Sequence, residues 1–379
     1  MTMTGRTNVG TVEDLHASAT KVCGLTDFGS DDHHEALGVL LDSYQRDAGL
    51  TEIGSKMSRY FLRGALVARA LSEASWKANP SYGETKVTRP IFVTGLPRTG
   101  TTALHRLLAA DPQHQALEMW LADFPQPRPP RDTWADNPVY QAVDQGFAQH
   151  RIENPEFMGV HYMTAAEVEE CWQLLRQTVK SISYESLAYL PTYSEWLRKQ
   201  DWTDAYTRHK QNLQLIGLGD ERRWVLKNPS HLFALDALMK VYPDALIIQT
   251  HRDPVTIVGS SCSLSEQATA GWSTTFVGEK IGSSQLELWS RGLREFNTAR
   301  ARYNPDQFLD IEFDELRADP FATVEKIYSK FGLDYTDSSR SAMTALDEES
   351  KSGDRKPVHK YSLADYGLTE DRVRAEFEL

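Results

Sequence analysis

The sequence predicts an α/β fold, a three-layer arrangement with a central parallel sheet of about five strands and helical additions before and within it. Three observations carry that expectation. Short apolar, β-rich runs stand at 91–94, 224–226, 245–248 and 308–311, each tied to a helical pattern, the arrangement that builds parallel βαβ units. The length, 379 residues, suits one large domain or two ordinary ones. With 25% charged and 40% hydrophobic residues, the composition is globular rather than disordered or fibrous.

Residues 11–79 read as helical. Asp32-x-x-Glu35 has the form of a capping box ahead of Ala36, Leu37, Val39, Leu40 and Leu41. Met57, Phe61, Ala65 and Leu66 then recur at helical spacing, and Asn79-Pro80-Ser81-Tyr82-Gly83 breaks the run. These residues are expected to form an N-terminal helical segment, 1–87, ahead of an α/β domain, 88–379.

At Pro90 the period changes. Ile91-Phe92-Val93-Thr94 reads as a strand, and Thr101–Leu108 as the helix that follows it. Between the first strand and the later ones, residues 119–215 form an aromatic-rich helical insertion. It opens on the Pro-rich stretch Phe124–Pro130 and holds five of the nine tryptophans, at 120, 134, 172, 196 and 202. Such aromatics either pack a subdomain or line an apolar cleft for a small acceptor, and both can hold at once.

Composition narrows the function. A net charge of −12 disfavours general nucleic-acid binding, which needs a basic face. No uncharged apolar run approaches the ~20 residues of a membrane span, and MTMTGRTNVG lacks the apolar stretch of a signal peptide. Cys23, Cys171 and Cys262 are too scattered for a disulfide framework or a cysteine zinc cluster. A soluble, cytoplasmic protein is expected.

The chemistry is concentrated in Gly95-Leu96-Pro97-Arg98-Thr99-Gly100-Thr101-Thr102, set between strand and helix. Glycines let the backbone close on an anion, while free N–H groups and the helix dipole supply positive potential. The string is P-loop-like, but Thr101 stands where a nucleotide triphosphatase has its Lys, and the cation comes earlier, as Arg98. An anion, and a nucleotide phosphate in particular, is the expected ligand.

A second candidate anchor follows the third candidate strand, where His251-Arg252-Asp253-Pro254 leads into a helix carrying Ser260. Asp253 is placed to cap and Pro254 to open the first turn. An Arg at the helix entrance and a hydroxyl two turns along can converge on one phosphate. A third element, Lys227-x3-His231, ends a strand and so lies at the carboxyl edge of a parallel sheet, where ligands bind.

The phosphate loop resembles the 5′-phosphosulfate loop of sulfotransferases that use 3′-phosphoadenosine-5′-phosphosulfate (PAPS), in the bacterial form with Pro-Arg-Ser/Thr-Gly-Thr-Thr. By that resemblance Arg98 contacts the sulfate and leaving phosphate, and Thr99, Gly100, Thr101 and Thr102 hold the 5′-phosphate. Arg252 and Ser260 resemble the 3′-phosphate motif. Lys227 and His231 resemble the segment that supplies an active-site Lys and the catalytic base. Two additional residues separate them here, as in the bacterial branch, and because some bacterial relatives use a carboxylate, Glu118 and Glu170 stand as rival bases. Ala103 occupies the place of a Trp near the adenine in animal enzymes. The basic C-terminal run Lys351, Arg355, Lys356, His359 and Lys360 is by default a solvated face. The resemblance would place Arg355 and Lys356 over the nucleotide.

The reaction so implied is transfer of a sulfuryl group from PAPS to a hydroxyl, less readily an amine, of a small hydrophobic or amphipathic acceptor, with no metal ion required. The competing readings are a P-loop nucleotide kinase and a non-catalytic lipid- or ligand-binding protein. The sequence leaves acceptor identity and oligomeric state open.

Overall fold

The computed structural model describes residues 8–153, 164–352 and 361–378. Five strands form a single sheet, β1 (Ile91–Gly95), β2 (His114–Ala116), β3 (Arg223–Lys227), β4 (Leu246–His251) and β5 (Phe308–Glu312), in the order β2-β3-β1-β4-β5. Every neighbouring pair is parallel. β1 is buried along its whole length, as expected of a central strand covered by helices on both faces. Four strands fall on the apolar runs of the sequence. β2 does not, because His114-Gln115-Ala116 carries no β-branched residue and is only three residues long; pairing with β3 holds it in the sheet.

Chain order explains where a ligand fits. From β1 the chain passes to β2 on one side of the sheet, and from β4 to β5 on the other. The carboxyl ends of β1 and β4 therefore flank a topological switch point, the usual crevice in such sheets. β1 pairs with β4 from Ile91↔Leu246 to Gly95↔Thr250, so the Gly95–Gly100 loop and Arg252 leave the sheet side by side.

Ahead of the sheet lie α1 (Val12–Cys23), α2 (His34–Arg46) and α3 (Glu52–Ala78). The capping box predicted at Asp32 and Glu35 does not form. A 3₁₀ turn spans 31–33, α2 starts at His34, and no side chain caps it. A tertiary demand outweighs the local one: Asp32 accepts from the fully buried Arg69 of α3 at 2.5 Å, and Glu35 accepts from Trp196 Nε1 at 2.9 Å. Pro80 does stop the preceding helix, which ends at Ala78.

One hydrophobic core joins Leu15, Leu37 and Leu66 of the leading helices to Phe92 and Leu226 of the sheet and Trp120, Trp134 and Trp202 of the insertion. A second core covers the other face, with Ile91 and Val93 against Leu104, Leu108, Val324 and Phe331. Alternate residues of β1 thus feed opposite cores, the period of two that a strand imposes.

Candidate active site

The loop after β1 is shaped by backbone that few residues tolerate. Gly95 has φ +138°, and a Cβ there would lie 2.5 Å from the Thr250 carbonyl oxygen. Gly100 has φ +88° and caps α4 (Thr101–Ala109). Between them Arg98 adopts the left-handed region, φ +67°, an uncommon conformation for a residue with a side chain. The loop is pinned from within, since Thr99 Oγ1 donates to Leu96 O at 2.6 Å and shares a 2.5 Å hydrogen bond with Thr250 Oγ1. Thr101 and Thr102 begin α4, where the first-turn N–H groups have no partner within the helix.

Arg98, Arg252 and Ser260 meet. Arg98 Nε donates to Ser260 Oγ at 3.1 Å, and Arg252 Nη1 donates to the Arg98 carbonyl at 3.0 Å. The Arg252 guanidinium lies over the Phe313 ring, 4.0 Å from its centroid. Burial, and then the charge of Arg252, hold the Arg98 guanidinium below its usual pKa range. Two cations close together in a half-buried site lower the potential energy of an anion placed between them.

Asp253 departs from expectation. It occupies the N-cap of the Pro254–Ala268 helix, but its side chain makes no capping hydrogen bond. Its carboxylate instead pairs with Arg374 at 3.2 Å and accepts from Thr256 Oγ1 at 3.4 Å. Pro254 opens the helix as expected.

On the opposite side of β1, Lys227 Nζ donates to Thr102 Oγ1 at 3.2 Å and forms an ion pair with Glu170. The Lys227 side chain is 4% exposed, so its charge acts in a poorly solvated space where Coulomb interactions are strong. Glu169 stands next to this pair, with Oε1 accepting from Trp172 Nε1 at 3.1 Å. Burial first, and the charge of Glu170 second, push the Glu169 carboxyl up to about 7. Sequence reasoning named Glu170 and missed Glu169. Two adjacent carboxylates in an aromatic insertion were the available signal.

His231 lies deeper. It is 1% exposed, its Nδ1 is 2.7 Å from Tyr206 Oη, and its ring meets Phe92 edge-on at 5.0 Å. Burial, followed by the charges of His209 and Lys227, holds it well below the ordinary imidazole range. Its Nε2 is buried and has no partner among the described residues. Glu118 is mostly buried and pairs with Arg128, whose Nη2 lies 3.1 Å from its carboxylate. The structure therefore brings Arg98, Thr99, Gly100, Thr101, Thr102, Lys227, Glu170, Arg252 and Ser260 together at the carboxyl ends of β1, β3 and β4, in two contact groups joined by the loop, with His231 buried. Arg355, Lys356, His359 and Lys360 lie outside the described residues. The chain re-enters at Tyr361, whose hydroxyl donates to Thr256 O at 3.2 Å. A Cβ on Gly259 would come within 2.7 Å of the Tyr361 ring.

A narrow aromatic cleft lies at Trp172, lined also by Tyr44, Phe61, Tyr184, Leu187 and Trp272 with Arg176 at its edge, and its free volume of about 10 Å³ has room for little more than one water. Trp172 belongs to both the cleft and the Glu169 hydrogen bond. Trp120, Trp134 and Trp202 are core residues. Packing thus accounts for most of the insertion's tryptophans, and Trp172 for the cleft.

Comparison with known proteins identifies the family. Residues 90–337 match the model of the sulfotransferase family. The crystal structure of sulfotransferase STF1 from Mycobacterium tuberculosis H37Rv superposes with TM-score 0.93 at 59% identity, covering 98% of this chain and 99% of that one. Sulfotransferase STF9 from Mycobacterium avium gives TM-score 0.88 at 26% identity over 100% of this chain and 97% of that one. The omega-hydroxy-beta-dihydromenaquinone-9 sulfotransferase Stf3 of Mycobacterium bovis is 25% identical over 270 residues, 64% of this chain. The aligned region spans 63% of that relative's length. A phosphate-type loop with its cation at Arg98, a second cation at Arg252 beside Ser260, and a match over most of the sheet domain converge on one assignment: the chain belongs to the sulfotransferase family.

Proposed function

We propose that this protein transfers a sulfuryl group from PAPS to a hydroxyl of a hydrophobic or amphipathic acceptor. The observation that carries the donor is the meeting of Arg98, Arg252 and Ser260 at the mouth of a glycine-shaped loop. Two guanidiniums and a hydroxyl fit a ligand with phosphates at both ends of a ribose, and the positive-φ backbone at Gly95, Arg98 and Gly100 brings N–H groups close to one of them. PAPS supplies the activated sulfuryl group, its S–O bond to phosphate breaking as the acceptor oxygen bonds to sulfur. The other products are adenosine 3′,5′-bisphosphate and a proton.

The chain's own residues divide that work. Arg252 and Ser260 orient the 3′-phosphate, which fixes the line of attack. Arg98 and Lys227 hold positive charge where the leaving oxygen gains negative charge, a preorganised electrostatic contribution. Glu170 accepts the acceptor's proton. Its carboxylate is the titratable group in contact with Lys227, and Lys227 in turn contacts the loop through Thr102. This assigns the base to the carboxylate rather than to His231, whose Nε2 is buried.

The aromatic lining of the cleft, whose side chains would have to part to admit a ligand, favours an apolar acceptor, as does the menaquinone derivative in the name of the Stf3 relative. The test is labelled sulfuryl transfer from PAPS to a panel running from water-soluble phenols to long-chain alcohols, with wild type and Trp172→Ala. Transfer favouring the apolar acceptors, with KM raised about tenfold in Trp172→Ala and nucleotide affinity unchanged, is expected. Equal transfer to polar acceptors in both proteins would reject the cleft.

A further inference from the structure

His16 and His33 belong to different elements, seventeen residues apart in sequence, yet their Nε2 atoms are 2.8 Å apart. His34 closes the group, and one ring nitrogen from each of the three lies within 4.8 Å of the others. The rings pack at centroid distances of 4.5–5.1 Å, and Phe28 covers His16 edge-on at 4.7 Å.

The other nitrogens fix the chemistry of the contact. His16 Nδ1 is 2.8 Å from the Val12 carbonyl, and His33 Nδ1 is 3.2 Å from the Ser30 carbonyl. A second acceptor, Asp32 Oδ1, lies 3.6 Å from the same His33 Nδ1. A carbonyl can only accept, so both Nδ1 atoms carry the proton. In the neutral rings both Nε2 atoms then present lone pairs to each other at hydrogen-bonding distance with no hydrogen between them. That arrangement is repulsive unless a cation sits at the Nε2 side.

Imidazoles whose Nδ1–H groups donate to backbone carbonyls, leaving Nε2 bare, have the form of metal ligands. We propose that His16, His33 and His34 bind one divalent late-transition-metal ion of the zinc type, tying α1 to α2. Three neutral imidazoles suit zinc, copper or nickel rather than calcium or magnesium. Zinc–nitrogen bonds of 2.0–2.1 Å in a tetrahedral site need nitrogens about 3.3 Å apart, so the His16–His33 contact of 2.8 Å would open by about half an ångström and the exposed His34, now within 4.8 Å, would swing in to complete the set. Asp31, with a carboxylate oxygen 3.8 Å from His34 Nε2, is exposed and adjacent to the open side. The nearby cation, Arg69, is already paired with Asp32 and bound to the Phe28 and Ser30 carbonyls, so its charge is compensated and it fixes the loop that carries the ligands.

The experiment uses the full, tag-free chain, stripped with EDTA and dialysed. Zn²⁺ is titrated against a chromophoric chelator, and Co²⁺ serves as a spectroscopic probe of a nitrogen-donor site. Wild type should take up one equivalent and show a higher thermal midpoint with Zn²⁺. His34→Ala, an exposed position that spares the fold, should bind at least tenfold more weakly and lose the thermal shift. His16→Gln should lose it as well, with the circular dichroism spectrum confirming that both variants remain folded. No uptake by wild type would overturn the proposal. So would one equivalent bound with undiminished affinity by a folded His16→Gln/His34→Ala double variant, since the ion would then sit elsewhere.

Discussion

Arg98 and Ser260 are 162 positions apart and joined by a 3.1 Å hydrogen bond from guanidinium Nε to hydroxyl Oγ. The bond links the loop after β1 to the second turn of the helix after β4. Because Arg252 also donates to the Arg98 carbonyl, the two sides of the sheet's switch point form one polar unit, preformed for the nucleotide proposed to bind there. A preorganised unit of this kind loses little freedom on binding, which favours affinity.

Nucleotide discrimination follows from that unit. Adenosine 3′,5′-bisphosphate should raise the thermal midpoint well above AMP at equal concentration. Arg252→Ala removes a charge-assisted hydrogen bond of roughly 1.5–3 kcal/mol and should weaken bisphosphate binding about 10–100-fold while leaving AMP nearly unaffected. Equal thermal shifts for the two nucleotides in wild type would remove the 3′-phosphate assignment.

Gly259 offers a test of the returning C-terminal chain. Its missing Cβ makes room for the Tyr361 ring, and Ser260 is the next residue. Gly259→Ala should displace that ring at a cost of about 1–3 kcal/mol, the range for overpacking. Bisphosphate affinity should fall several-fold, and Tyr361→Ala should reproduce the affinity loss without the strain. Calorimetric titration of both variants measures this, and unchanged affinity in both would detach the C-terminal segment from the nucleotide site.

Acid should destabilise the fold. Burial lowers His105 and His209 to about 3 and holds His231 well below 6.5. In the unfolded chain each takes a proton near 6.5, so below that pH the unfolded state binds more protons. Their contribution is therefore complete above about 6.5 and is lost as pH falls towards 3, with a slope of up to about 1.4 kcal/mol per pH unit for each group. Glu169 acts in the opposite sense, since its raised pKa gives stability below the ordinary 4.5 that is lost as pH rises through about 7. His33 and His114 are lowered by burial as well and add to the three, whereas Glu118, Asp123 and Glu185 are raised by burial and side with Glu169; because the histidines of the unfolded chain titrate within the pH 5.5–7.5 window, net loss on acidification is expected. Urea midpoints at pH 7.5 and 5.5 measure it, and a flat profile would mean that these histidines are not held neutral.

The phosphate loop was legible because its glycines, cation and hydroxyls are contiguous, and because strand and helix periods flank it. Arg252 and Ser260 were legible for a similar reason, with one helix carrying both at its start. What the sequence concealed lies across tertiary distance. Lys227 and Glu170 are 57 positions apart, and the segment carrying Glu170 reaches β3 through Cys171 N–H donating to the Lys227 carbonyl. The His16–His33 contact depends on α1 packing against the 3₁₀ turn that precedes α2 and shows no metal-ligand spacing along the chain. Asp32 misled for the same reason, since a buried Arg69 outcompeted a helix terminus for its carboxylate. β2 was hidden because pairing, rather than composition, makes it a strand.

The identity of the base separates two residues that lie close together. Glu170 contacts Lys227 at the loop, whereas His231 sits behind β3 with its Nδ1 tied to Tyr206. Glu170→Gln keeps the shape and removes the proton acceptor, so kcat should fall about 10²-fold or more, the scale for losing a general base. Bisphosphate affinity should stay near wild type, because no phosphate contact is assigned to this carboxylate. Glu169→Gln should act more mildly, through Trp172 and the local charge. His231→Ala deletes a buried ring packed on Phe92, so its main effect should be lost stability, with kcat within about tenfold of wild type at a temperature where the variant remains folded. Single-turnover rates with a fixed apolar acceptor, measured alongside thermal midpoints, distinguish chemistry from folding. A His231→Ala protein that is stable but slowed 10²-fold, beside an active Glu170→Gln, would return the base to the histidine and require its Nε2 to be uncovered when the acceptor binds.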